Sequence, residues 1–284
     1  MRGQSAVVAL KDGPANATLI KRDAAQVFSI EANAFAYPAS LMGGIAVIRQ
    51  SFEDAHWYRG VWATYAKSPA GKEPPAANVS FEALQGVING SQTLVFVAPD
   101  MLGVLQAGAI AREAGLGAQV VTAGDDYKRV REIAGTGMPL IVPVNFPEAP
   151  DVADADAALE VSTEELRGWN DAPGNAAALA KNGITFALTS AGMKEVKSFR
   201  ANVAKAIARG LTADQALAAV TTVPAKLLGV SDRLGTITPG KLASLTVTRG
   251  ELCSETGLVR EEWAGGARHE AANDGPTPGG RGLV

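Results

Sequence analysis

The chain has 284 residues, 47% of them apolar and 19% charged, which is enough to bury a sizeable core and suits one soluble α/β unit, alone or with an appendage. A net charge of −3 with scattered Lys and Arg excludes the field that nucleic acid or an anionic membrane surface would need, and Lys128-Arg129-Val130-Arg131 reads as a solvated helix face. A single cysteine, Cys253, excludes an internal disulfide framework and any CxxC motif and reads as a structural thiol.

No apolar run approaches the roughly 18 residues of a membrane span. Met1-Arg2-Gly3-Gln4 leads only into Ala6 to Leu10, too short for a signal-peptide core, so the chain as written is expected in the cytoplasm. A segment ahead of Met1 would leave the compartment open.

In chain order, β-rich apolar runs fall at Ser5 to Leu10, Thr93 to Val97, Ala118 to Val121, Leu140 to Val144 and Ile184 to Leu188. They are near-continuous, as strands covered on both faces are. The long helical pattern from Ala39 to Ala66, ending in the loop Lys67 to Pro75, reads as an insertion between the first strand and the rest. After the last four strands come helical stretches at Met101 to Ala114, Asp126 to Ala134, Thr163 to Lys181 with a Pro173-Gly174 break, and Glu195 to Arg209. Such alternation predicts a parallel sheet.

Ser162-Thr163-Glu164-Glu165 and Thr212-Ala213-Asp214-Gln215 both have capping-box spacing. Phe199, Val203, Ala206 and Ile207 form one core-facing stripe on a helix that Gly210 closes. From Arg233 to Gly250 the period changes, and Thr236, Thr238 and the Pro239-Gly240 turn predict a hairpin. The closing stretch AANDGPTPGGRGLV has the composition of a disordered tail.

The stretch RGLTADQALAAVTTVPAKLLGVSDRLGTITPGKLASLTVTRG (209 to 250) resembles the C-terminal signature of the amidohydrolase superfamily, in particular its imidazolonepropionase-like members. The resemblance rests on the helix start Pro224-Ala225, the pair Leu228-Gly229, and the pattern Gly235, Ile237, Gly240, Lys241, Ala243. YPASLMGGIAVIRQSFEDAHWYR and LIVPVNFPEAPD look like a bacterial branch of the same family, so the likeness extends over residues 4 to 268. It implies a metal-dependent hydrolase barrel of C–N bonds, flanked by a small β-sandwich built from both chain ends. It also implies that the early strands, with a His-x-His pair, lie before Met1.

A complete barrel of this type needs about 250 residues and eight strand-helix units. Only five strands are visible. The fold expected is therefore α/β: the later part of a TIM-type (β/α) barrel over residues 1–230, a β-sandwich segment with a C-terminal hairpin over 231–269, and a disordered tail over 270–284.

The resemblance implies zinc or another divalent metal, held by His, often a Lys, and an Asp in the Thr-Ser-x-Gly turn after the last strand. That turn here is Thr189-Ser190-Ala191-Gly192, so Ala191 stands where the family's ligand and general base would be. The chain has two histidines. His56 reads as packed between aromatics in a helix, and His269 falls in the tail region. A hydrolytic zinc needs about three protein ligands, and as written the chain cannot reach that count, so no metal or other cofactor is expected and no catalytic residue is assigned.

Other groups at the strand ends are candidates for binding. Asp100, Asn145, Glu148 and Ser190 are the substrate-binding candidates, with Asp151 in the same loop as Asn145 and Glu148, on the face where barrels bind ligands. Ser190 has no His or Lys placed to activate it as a nucleophile, and Gly-x-Ser-x-Gly is absent. Asp125-Asp126 could share a proton or bind a cation, but they are read as first-turn acids that the helix dipole favours. Gly115-Leu116-Gly117 and Gly135-Thr136-Gly137 are helix ends and turns, not phosphate loops.

The expectation is thus an amidohydrolase-like domain that lacks its metal ligands and acts as a catalytically degenerate scaffold or ligand-binding module. Its partners would be a small-molecule ligand and, through open sheet edges, a second copy or a chain supplying the early strands; nucleic acid and membrane are not expected. The alternative is an active metal-dependent amidohydrolase of amide or cyclic-amide bonds whose ligands come from outside this chain.

Overall fold

The computed structural model describes residues 1–31, 37–254 and 257–270. The chain opens with β1 (Gly3–Val8), a single turn α1 (Ala15–Thr18) and β2 (Leu19–Ser29), followed by the helices α2 (Leu41–Lys67) and α3 (Val79–Ile88). Strand and helix then alternate through β3 (Thr93–Val97), α4 (Met101–Glu113), β4 (Ala118–Val121), α5 (Val130–Ala134) and β5 (Leu140–Pro143). Three helices, α6 (Ala155–Glu160), α7 (Thr163–Asp171) and α8 (Asn175–Lys181), lead to β6 (Phe186–Thr189), and α9 (Phe199–Ala208), α10 (Ala213–Val220) and α11 (Thr222–Leu227) follow it. The strands β7 (Leu245–Arg249), β8 (Leu258–Ala264) and β9 (Ala267–Glu270) close the described chain.

Strands β1 to β6 form one sheet in sequence order, with β1 antiparallel to β2 and every later pair parallel. The sheet curls into a half-barrel, the α/β architecture expected, and the last three strands make a separate antiparallel sheet. Short strands with helical crossovers produce this result because a parallel neighbour can be reached only over the sheet's face.

Register decides which side chains meet. Phe28 pairs with Phe96, Phe96 with Val120, Val120 with Leu140, and Leu140 with Phe186, so one face presents a continuous apolar row. That row is buried against Phe52, Leu84, Val104, Ile133, Leu179, Val203 and Ala216 from seven helices. The ring of Phe28 lies 5.2 Å from Phe52 and 6.1 Å from Phe96, which fastens α2 to β2 and β3.

The opposite, inner face carries Val27, Val95, Val121 and Ile141 in neighbouring registers, and none of them joins that core. At its base the chain crosses below the strands. Gln119 Nε2 donates to the Leu227 carbonyl (2.8 Å), Lys21 Nζ to that of Leu228 (3.0 Å), and an Arg233 guanidinium nitrogen to that of Ile20 (2.6 Å).

The expected capping boxes at Ser162 and Thr212 are both formed. Gly210, at φ +106°, ends α9 while its N–H donates to Ile207 O (3.0 Å), a conformation that a side chain would strain.

Several expectations need correction. The sheet has six strands, not five, and is mixed, not wholly parallel. β2 escaped notice because Lys21-Arg22-Asp23 interrupts its apolar pattern, and Asp23 turns the backbone to φ +49°. β1 alternates in burial, as an edge strand with one covered face does. The segment read as an insertion, now α2 and α3, is the connection between the adjacent strands β2 and β3.

The Pro239-Gly240 turn, where Lys241 N–H donates to Thr238 O, does not join two strands; the hairpin is instead β7 with β8. His269 lies in β9 opposite Glu262, not in a tail. The tail predicted for 270–284 lies, after Glu270, outside the described residues.

Phe96 is fully buried between β2, β4 and the helices. Phe96→Ala should lower the unfolding free energy by about 3–5 kcal/mol, measured from the shift of a urea transition at unchanged slope.

Candidate functional site

The five parallel strands end along one rim, where the chain leaves Ser29, Val97, Val121, Pro143 and Thr189. The side chains just beyond these positions are the ones a barrel uses for chemistry.

After β3, Asp100 caps α4: its Oδ1 accepts the Gly103 N–H at 2.8 Å. Asp125 sits close enough for the Asp100 charge and the Met101 N–H to act on it, and Lys128 Nζ lies 3.8 Å from its Oδ2. Burial pushes the Asp125 carboxyl above the usual range, against the pull of Lys128 and with a further push from Asp100.

Asp126 opens a 3₁₀ turn (Asp126–Arg129) but does not cap it. Its side chain turns inward and is wholly buried, where Oδ2 accepts from Thr122 Oγ1 (2.8 Å) and from Asn175 Nδ2 (2.9 Å). Asn175 Oδ1 in turn accepts the Tyr127 N–H at 2.8 Å. Desolvation raises the Asp126 pKa; the two hydrogen bonds and, in the opposite sense, the neighbouring Asp125 charge are smaller influences. One oxygen each of Asp125 and Asp126 is buried without a protein partner. The helix-dipole reading of this pair therefore does not describe Asp126, which ties β4 to α8.

After β5, Asn145 is exposed, and its Nδ2 lies 3.4 Å from where a Cβ on Gly192 would stand, so the loops after β5 and β6 meet there. Glu148 is 3.6 Å from Lys194, with both side chains 88% exposed. Such a pair contributes little. In the turn after β6, Ala191 N–H donates to Thr189 Oγ1 (3.2 Å) and Met193 N–H to Ser190 O (3.2 Å), while Ala191 itself faces solvent. The structure thus gathers Asn145, Glu148, Ser190 and Ala191 around the ends of β5 and β6, and places Asp100 with Asp125 at the start of α4.

Neither histidine reaches this rim. His56 is half-buried within α2, its Nδ1 3.3 Å from an Arg59 guanidinium nitrogen, and His269 is in β9. Among the described residues no three His, Cys, Asp or Glu side chains stand together so as to hold a metal ion. Cys253 is half-buried against the core, and burial pushes its thiol pKa up. Among the described residues no helix is long and apolar enough to cross a membrane.

Asn175 went unnoticed in the sequence. Its one signal is a lone amide opening an alanine-rich helix directly after Pro173-Gly174.

The half-barrel and its rim define an α/β domain of partial TIM-barrel architecture. Residues 141–269, from β5 to the end of the second sheet, match the family model described as "Amidohydrolase family". No curated protein matches the sequence. Among solved structures, an amidohydrolase from Thermotoga maritima MSB8 is similar over 94% of this chain and 67% of its own, with 24% identity and a TM-score of 0.75, which establishes the fold. A prolidase complexed with N-methylphosphonate-L-proline is more distant (16% identity, 67% of this chain, 48% of that one, TM-score 0.47). So is the ochratoxinase of A. niger (14%, 68% and 45%, TM-score 0.43). The chain spans about half the length of each of these last two.

Among the described residues, the side chains at the strand ends do not make up the ligand set that a divalent metal of that family would need. The described strand ends offer a capping Asp100, a buried Asp126 that already accepts two hydrogen bonds, and a methyl group at Ala191.

A carboxyl whose folded-state pKa stands above its unfolded value takes up a proton on folding. Its contribution is full below the unfolded pKa and is lost as pH rises through the folded one. The native chain should therefore lose stability relative to Asp126→Asn as pH rises from about 4 toward neutrality, read from urea transitions across that range. A difference that stays flat with pH would show that Asp126 is ionised in the fold at no cost.

Proposed function

We propose that this amidohydrolase-family domain does not build the family's metal centre from its own residues and serves as a scaffold or ligand-binding module. The observation that carries this reading is the β6 rim turn, Thr189-Ser190-Ala191-Gly192. It keeps its backbone hydrogen bonds but holds a methyl group where the resemblance implies a carboxylate. Without imidazole donors beside it, an activated water has nothing to lower its pKa. In this reading residues 1–230 form the half-barrel and 231–269 the sandwich segment, and Asn145, Glu148 and Ser190 with Asp100 line the ligand-facing rim.

A second reading is favoured by the sheet's free side. Thr185 and Thr189 give their carbonyls to β5, so Phe186 and Leu188, which alternate with them, turn their backbone groups the other way, and among the described residues no strand lies beyond β6. In that reading, further strands bring metal ligands to an active hydrolase of amide or cyclic-amide bonds. The same edge leads us to propose self-association, or pairing with a chain that supplies the early strands.

Elemental analysis after dialysis should find zinc far below one per chain, whereas one tightly held zinc would overturn the degenerate reading. Ala191→Asp alone should give no metal-dependent hydrolysis, since one carboxylate does not make a zinc site. Light scattering over a dilution series should show mass that grows with concentration; a monomer throughout would mean the helices beside β6 already shield its edge.

A further inference from the structure

Next to the rim, and sharing Glu148 with it, the loop after β5 and the helices α6 and α7 border a cleft of about 650 Å³. That is the size of a small-molecule site. Pro147, Val161 and the indole of Trp169 supply its apolar wall, and Glu148, Asp151 and Glu160 its polar one.

Trp169 on α7 is 42% exposed and lines the cleft, so part of its aromatic surface is open within a concavity. No Lys or Arg lines the cleft. Lys194 approaches only Glu148, at 3.6 Å and fully in solvent, where the pair is readily displaced. A fourth acid in the lining, Glu165, is fixed by the α7 capping box, where its Oε2 accepts from both the N–H and the hydroxyl of Ser162 (2.8 Å each). Those bonds hold its carboxyl below the usual range and keep it ionised.

An apolar wall that includes a partly exposed indole, with negative charge around it and no cation in the lining, is complementary to one kind of ligand. We propose that this cleft binds a small organic cation, an amine or quaternary ammonium compound with an apolar body. The body packs on Pro147 and Val161, the cationic head lies over Trp169, and Glu148 and Glu160 supply long-range attraction. Neutral molecules of the same shape keep the packing and lose the rest. The inference rests on the reading of the chain as a ligand-holding module and gives that module its ligand class.

The test is calorimetric titration of the full chain with benzyltrimethylammonium, and with its neutral isostere 2,2-dimethylpropylbenzene as the control. Saturable binding of the cation should be at least about fivefold tighter than that of the isostere and should weaken as salt is raised. Trp169→Phe should weaken it about two- to fivefold and Trp169→Leu more, because phenyl retains part of the π face. Glu148→Gln with Glu160→Gln, both at exposed positions, should weaken it while far-ultraviolet circular dichroism stays unchanged. Equal affinity for cation and isostere, or no saturation at millimolar cation, would overturn the proposal. A bound zinc would instead overturn the metal reading and leave this one standing, so the two fail separately.

Discussion

Phe28, Phe96, Val120, Leu140 and Phe186 stand side by side because five parallel strands keep one register, and that register fixes almost everything else in the molecule. A slip of one residue in any strand would turn its apolar set away from the helices and bring the inner-face residues outward. The positions of the helices, and the places where the strands end, follow from where this row lies.

The rim inherits its geometry from the same constraint, and the carboxyl of Asp126 shows how closely the two are coupled. β4 ends three residues before Gly124, whose φ of +92° lets the chain turn back so that Asp126 meets Thr122 and Asn175. Burying a carboxyl in this way is unfavourable unless it is hydrogen-bonded or neutral, and here two donors converge on one oxygen. In return the contact joins β4 to α8 across 49 residues of sequence, a link that apolar packing alone would leave free to slide.

What the sequence disclosed depended on whether the cause was local. β3 to β6 are short, apolar and flanked by helical stretches, so their pattern is complete within about a dozen residues each. β2 is a strand because of its neighbours: Arg22 and Asp23 in its middle are exposed, and the Nε2 of its buried Gln26 donates to the Gly3 carbonyl of β1 (3.1 Å). The pairing of β7 with β8 was likewise hidden, since Pro239-Gly240 has turn chemistry without strands to join. Of the rim candidates, Asp100 was legible as an acid after a strand, but its role as a helix cap competes with ligand binding for the same oxygen. The link from Asp126 to Asn175 has no local signature at all.

The turn after β6 separates scaffold from chemistry in a way the other strand ends do not. Its shape is set by the Thr189 hydroxyl, by backbone bonds, and by Gly192 at φ +77°, so the side chain at position 191 points into solvent and contributes nothing to holding it. A carboxylate or a methyl group there is almost equivalent for folding, since an exposed side chain changes stability by only a few tenths of a kcal/mol, on the order of 0.5 at most. Asp126 is the opposite case, because removing one partner of a buried hydrogen-bonded group leaves the others unsatisfied. A barrel of this kind can therefore lose a ligand at the position where chemistry would need it while its fold still constrains the buried acid two strands away.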